Sequence, residues 1–169
     1  MVSTTESTAT RYWAEVKEVW ARDGLIRIIG TIQGTSMTEG PWRLRLVPEQ
    51  QPARPRAWLR RRVRRWRMAH WTPPGPYRVT MRDGRFEAAV PVRDLVLPRP
   101  VRSQRWAVHL VSDAPSRRSL RVGRHLGVPH PARAITYPAQ TAEAYGARFR
   151  VRPSYTADDH LAIGSRRAR

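Results

Sequence analysis

Apolar and polar residues alternate one by one along several short stretches of this chain, each bounded by glycine, proline or aspartate. Trp42-Arg43-Leu44-Arg45-Leu46-Val47 alternates as far as Pro48, so Trp42, Leu44 and Leu46 share one face of a strand while Arg43 and Arg45 stand on the other. Arg85 through Val90 repeats the pattern after the turn-forming Asp83-Gly84, and Arg105 through Val111 places Trp106, Val108 and Leu110 in one phase. Leu120 and Val122 share a face. Ala147-Arg148-Phe149-Arg150-Val151-Arg152 is the sharpest alternation of all, and Pro153 is expected to break it. Leu25 through Ile32 is dense in β-branched residues and reads as a central strand between Gly24 and Gly34. Trp13 through Trp20 satisfies neither the helical nor the strand period cleanly; a strand is preferred over a short helix. Leu161-Ala162-Ile163 forms a last short strand.

These stretches predict seven to nine short strands joined by close turns, with no regular series of long helices between them. That pattern points to an all-β fold, an antiparallel immunoglobulin-like β-sandwich, and away from a doubly wound α/β fold. Residues 1–11 read as a flexible leader, 12–163 as the single domain and 164–169 as a basic tail. The interval 50–76 departs from the short-loop pattern and reads as a basic insertion.

Charge changes the picture. The chain has 169 residues, 32 Lys plus Arg against 13 Asp plus Glu, and a formal net charge of +19; Lys17 is its one lysine. Such density attracts anionic polymers through long-range steering and counterion release, without selecting which polymer. Its sharpest concentration runs from Arg54 through Arg67, eight arginines in fourteen positions, with Leu59, Val63 and Trp66 spaced as on one stripe of a helix. Arg61, Val63 and Arg65 equally fit an exposed strand or hairpin. As an anion-binding surface this segment offers Arg60, Arg61, Arg64, Arg65 and Arg67 as guanidinium forks, with Trp58 and Trp66 as flanking aromatics. The alternative is a solvated insertion, or a contact with a protein or an anionic membrane surface. Trp42 and Trp106 fall in the apolar phase and are assigned to the core; Trp71 joins Trp58 and Trp66 as a candidate for exposure. Arg43, Arg45, Arg148, Arg150 and Arg152 fall in the polar phase and face outward. Alternation gives their direction and leaves their convergence open.

Other chemistry is sparse. With no cysteine, disulfides, thiol nucleophiles and thiolate metal sites are excluded. No Gly-rich phosphate loop, His-Glu metalloprotease pair or Gly-x-Ser-x-Gly elbow occurs, so no catalytic residue, metal site or cofactor is expected. Asp158-Asp159-His160 is the densest acid/base cluster, read first as a turn whose carboxylates accept local N–H groups. His125 and His130 read as loop residues, and His70 and His109 carry no signal. A zinc site built from His and Asp alone is not selected by their spacing. No apolar stretch approaches the roughly 20 residues that span a bilayer, and residues 1–10 lack a signal-peptide pattern. The expected compartment is the cytoplasm.

Leu120-Arg121-Val122-Gly123-Arg124, Tyr137-Pro138, Phe149 through Thr156 and Asp158 through Ile163, preceded by Trp106 through Val111, resemble the β-rich accessory domains of actinobacterial glycosyltransferase and teichoic-acid glycerophosphotransferase-like proteins. The resemblance spans residues 20–163 and is specific over the last third. His160 stands where that pattern commonly has Asn, and the basic segment is expanded. The resemblance implies a noncatalytic module that binds an anionic cell-envelope glycopolymer or its synthesising transferase, with no catalytic residues to carry over. Nucleic-acid binding is the alternative, supported by charge but by no recognisable motif. A hydrolase or transferase would need the acidic cluster and the histidines to converge in a pocket.

Overall fold

Two Asp-Gly pairs set the first part of the fold. Asp23-Gly24 and Asp83-Gly84 hold positive φ at both positions, 53° and 73° in the first, 48° and 73° in the second. This is the backbone of a two-residue turn whose twist matches the flanking strands. The computed structural model describes residues 13–34, 41–49, 75–98, 101–113, 118–124 and 135–168. Within them the strands are β1 (Trp13–Arg22), β2 (Leu25–Gln33), β3 (Trp42–Pro48), β4 (Tyr77–Arg82), β5 (Arg85–Pro91), β6 (Ser103–Ser112), β7 (Ser119–Gly123), β8 (Gln140–Ala144), β9 (Ala147–Tyr155) and β10 (Leu161–Arg167). A 3-10 turn, Val92–Leu95, follows β5.

The strands form one 10-stranded sheet in the order β3-β4-β5-β2-β1-β7-β6-β10-β9-β8, with β3 also paired to β6. That last pairing closes seven strands into a β-barrel, from which β10, β9 and β8 extend. The all-β class agrees with the alternation pattern. The closure departs from the immunoglobulin-like sandwich, in which two sheets stay separate. Here β4 pairs with both β3 and β5, and β7 pairs with both β1 and β6, so the layers are joined at both margins.

β6 is the hub. One of its edges carries β3 from Trp106 to Ser112. Its other edge carries β10 from Ser103 to Ala107 and then β7 from His109 to Val111. A bridge between Gly123 and His160 joins the end of β7 to the start of β10. Gly123 fits this junction because a Cβ there would lie 2.9 Å from the Asp159 carbonyl oxygen.

The core follows the predicted phase. Trp42, Leu44, Leu46, Phe86, Val90, Trp106, Val108, Leu110, Phe149 and Val151 are all buried. Side chains of this kind each contribute about 1.5–3 kcal/mol on burial. Leu95, Val96, Leu97 and Val101 carry that core along the connection from β5 to β6. Gly30 lies opposite Phe86, where any Cβ would collide with the ring and with the Glu15 carbonyl oxygen.

Several elements differ from the alternation reading. β1 is a strand whose mixed period has a cause: the register shifts between Val16 and Glu18, so Lys17 bulges out. Ala14 and Val16 face the core before the bulge and Ala21 after it, which flips the parity of the strand. β9 continues through Pro153, because β8 pairs only as far as Val151 and the missing N–H falls on the edge β8 has left. β10 extends through Arg167, into the stretch read as a basic tail. β4 and β8 lie outside the alternating stretches of the sequence. Among the described residues no helix is long and apolar enough to cross a membrane.

Candidate anion-binding face

The segment singled out for its arginines, with Arg60, Arg61, Arg64, Arg65, Arg67, Trp58 and Trp66, lies outside the described residues, as do Trp71, His70, His125 and His130. The arginines in strands are described, and the register shows where they meet.

Arg148, Arg150 and Arg152 are exposed on β9 while Phe149 and Val151 are buried beneath them. Across the ladder, Arg150 stands directly opposite Arg166 of β10, and Arg152 stands opposite Gly164. Gly164 is in turn opposite Arg105 of β6. Arg150, Arg152, Arg166 and Arg105 therefore form two adjacent rows on one outer surface. Like charges directly opposite in a sheet are destabilising. Arg148 is relieved by Glu143, with Nε 2.7 Å from Oε1, whereas Arg150, Arg152 and Arg166 make no ion pair among the described residues. Gly164 keeps the centre of this surface low. A Cβ there would meet only the Arg152 carbonyl oxygen, at 3.9 Å, so packing does not require glycine at this position. A strand glycine free of packing constraint suits close approach of a ligand to the backbone.

The same face continues along β6. Arg45 of β3, His109 of β6 and Arg121 of β7 occupy one cross-strand row. Six residue steps along β6 lead from Ser103, the partner of Arg166, to His109, a run of about 20 Å at the usual strand rise. Between the two clusters Glu49 takes Arg121 Nη2 on Oε1 at 2.6 Å and lies 3.3 Å from Arg105 Nε through Oε2. Arg105 reaches over the small residues of β10 and donates from Nη2 to the Tyr155 carbonyl at 3.4 Å. His109 Nδ1 is 3.2 Å from Ser119 Oγ. Burial, then Arg121, His160 and Arg45, hold the His109 imidazole below its ordinary pKa, and Glu49 opposes them.

The opposite outer surface, over β5, β2 and β1, is charged but matched. Arg27 Nε donates to Glu87 Oε1 at 2.6 Å, Arg85 Nη2 to Glu18 Oε1 at 3.2 Å, and Lys17 Nζ lies 2.9 Å from Glu15 Oε2. The Glu87 carboxyl is held below its ordinary value mainly by the Arg27 hydrogen bond. Exposed Trp13 and Trp20 also belong to this surface, on β1.

Asp158-Asp159-His160 is built into the turn before β10. Asp159 has φ 55°, its N–H donates to the Thr156 carbonyl at 3.2 Å, and its carbonyl accepts from Arg124 N–H at 2.9 Å. The Thr156 hydroxyl accepts from the His160 N–H at 3.1 Å. The local hydrogen bonds are those of a turn and strand junction. Among the described residues no three His, Asp or Glu side chains gather as metal ligands. Among the described residues one surface depression is lined by Thr80, Arg82, Arg85 and Glu87, and another by Glu143, Ala144, Gly146, Ala147 and Arg148.

Alternation gave the outward direction of Arg45, Arg150 and Arg152 and left Arg105, His109 and Arg121 in the polar phase of their stretches, but it did not reach Arg166 or Glu49. Their convergence comes through register, from chain positions as distant as Glu49 and Arg166. In comparisons with known proteins, no family model matches this chain and no curated protein matches it.

Proposed function

We propose that the protein is a noncatalytic binding module of the cytoplasm that holds an anionic cell-envelope glycopolymer, presenting it to the transferase that makes it. The observation that carries this reading is the Arg150–Arg166 pair, two guanidinium groups directly opposite on adjacent strands with Arg152 beside them and, among the described residues, no acid to neutralise them. A chain retains such a pair against its own stability when an external anion supplies the counter-charge. The glycine floor at Gly164 and the length of the arginine surface along β6 suit an extended polymer more than a single small ion. The residues resembling accessory domains of polymer-making transferases support the choice of polymer.

Nucleic acid is the competing ligand class. Single-stranded nucleic acids are held by aromatic platforms beside basic groups. The exposed tryptophans of the described residues, Trp13 and Trp20, stand on the opposite, charge-matched surface, which favours a polymer recognised through its phosphates.

The test is binding of labelled glycerol-phosphate polymer, RNA, single-stranded DNA and a neutral glycan, followed by anisotropy at low and physiological salt. The expected result is preference for the glycerol-phosphate polymer that survives physiological salt. Tighter nucleic-acid binding replaces the reading with the competing one, and equal binding to all anions that salt erases overturns it.

A further inference from the structure

One seat on the cationic face is already filled from within. Two guanidinium groups, Arg105 and Arg121, converge on the Glu49 carboxylate, at 3.3 Å and 2.6 Å. Among the described residues the buried Arg121 Nε donates to no acceptor, and the buried Arg105 Nε, though 3.3 Å from Glu49 Oε2, is not aligned to donate to it. The seat therefore holds more donors than a single carboxylate uses. The Glu49 main chain is fixed separately: its N–H donates to the Arg105 carbonyl at 2.8 Å, and its carbonyl accepts from Gln104 Nε2 at 3.2 Å. Rotation of the side chain alone empties the seat, with the strand end staying in place.

The groups around this seat are two guanidinium groups flanking an imidazole. Arg45 approaches from β3, His109 from β6, and Arg121 from β7, while Ser119 holds the His109 ring and His160 adds a second imidazole from the β7–β10 junction. Exchanging Glu49 for a phosphodiester swaps one negative charge for another and gains little. A phosphomonoester brings about −1.5 to −2 charges at pH 7 and three strong acceptor oxygens, enough to engage the unused Arg121 Nε, align with Arg105 Nε and meet a protonated His109 as well.

We propose that the Glu49 carboxylate is an internal stand-in for a terminal phosphomonoester, and that Arg45, Arg105, Arg121 and His109 form a seat that prefers such an end group to an internal phosphodiester. This rests on the polymer-binding reading only for the ligand's origin; the seat itself is tested with small molecules. Binding of the dianion beside His109 opposes the burial and the neighbouring cations that keep the ring neutral, so it couples to proton uptake there.

The probes are methyl phosphate and dimethyl phosphate, added to the full chain, with the His109 ring proton followed by NMR as pH is varied and assigned with His109→Gln. Methyl phosphate is expected to raise the His109 titration midpoint and to bind about tenfold more tightly than dimethyl phosphate, a difference of about 1.4 kcal/mol. Glu49→Gln, which removes the competing charge and keeps the shape, is expected to tighten methyl phosphate about tenfold further and to admit dimethyl phosphate. Equal binding of the two probes with an unmoved His109 midpoint overturns the seat, as does unchanged affinity in Glu49→Gln. If the seat fails while the glycerol-phosphate polymer still binds, the polymer reading stands; if methyl phosphate moves His109 and the polymer does not bind, the seat stands and the polymer reading falls.

Discussion

The outer surfaces over β5-β2-β1 and over β3-β6-β10-β9 use the same cation and differ in what stands beside it. On the first, Arg27 and Arg85 each meet a glutamate, Glu87 and Glu18. On the second, Arg45, Arg150, Arg152 and Arg166 meet none among the described residues. Cross-strand arginine pairs occur on both sides of the barrel. Arg82 faces Arg85, which has Glu18, and Arg43 faces Arg78, with Asp113 2.9 Å from Arg43 Nε. Arg150 faces Arg166 with no described acid beside either. The Arg150–Arg166 pair thus differs from the other two in that neither of its members has a described acid beside it.

Charge reversal on the two surfaces breaks the comparison most directly. Arg150→Glu with Arg152→Glu and Arg166→Glu is expected to weaken glycerol-phosphate polymer binding by about 100-fold or more at low salt, and to flatten the dependence of log affinity on log salt by about 0.7 for each phosphate no longer neutralised. Reversing Arg27 and Arg85 removes two-thirds as much charge and is expected to change affinity by less than about threefold, because those cations are already matched. Equal losses from both sets, measured by anisotropy, would reduce the effect to net charge.

Gly164→Val sharpens the same contrast without touching a charge. A β-branched residue in an open strand position favours the strand, by up to about 1 kcal/mol over glycine. It also raises the floor between Arg152 and Arg105, so polymer affinity is expected to fall by about tenfold while thermal stability holds or rises. A variant that binds like the original would show that nothing approaches the backbone there.

The fold was legible wherever one residue in two is large and apolar. Trp42, Leu44 and Leu46 declare β3 in full, and Phe149 and Val151 declare β9 as far as Pro153. β8 was not legible, because of its residues only Ala142 is buried; it is held by pairing with β9 and by Gln140, whose side chain caps the Gly24 N–H at 2.7 Å and donates to the Leu25 carbonyl at 2.7 Å. The end of β10 was hidden for a similar reason. Ser165 faces the core at 2% exposure, yet Ser165-Arg166-Arg167 reads as a polar tail until β6 and β9 supply both neighbours. Barrel closure depends on β4, whose Tyr77, Val79 and Met81 are only half-buried and stand next to the arginine-rich interval that dominates that part of the sequence. The candidate site was half legible: alternation turned Arg150 and Arg152 outward, and only register brought Arg166 opposite Arg150.

A single reversal tests whether the unmatched pair costs stability. Arg166→Glu converts the Arg150 cross-strand contact from repulsion to attraction, and the expected gain in unfolding free energy is about 0.2–1 kcal/mol. Arg85→Glu does the opposite on the other surface, setting a second carboxylate beside Glu18, and is expected to destabilise. Chemical denaturation of both variants checks the signs; a loss in Arg166→Glu would mean that the pair is not a strained element.

Acid separates the two surfaces by the group that titrates first, and gives the smallest of these signals. His109 is held below its ordinary pKa of 6.5 by burial and by Arg121, His160 and Arg45, so the unfolded chain takes up a proton there before the folded one does. Its contribution to stability therefore falls as pH drops through 6.5 and is fully lost below the lowered folded value. Glu87, lowered from 4.5 chiefly by its hydrogen bond from Arg27, keeps its contribution above that value and loses it only as pH falls further, through the folded value. Denaturant midpoints measured down the acid range are expected to show an early decline that His109→Gln removes and a later one that Glu87→Gln removes. Because the early decline arises on the cationic face, a bound phosphate probe is expected to suppress it and to leave the later one in place. A single decline, insensitive to His109→Gln, would mean that the imidazole is not held neutral by burial and the cations of that face.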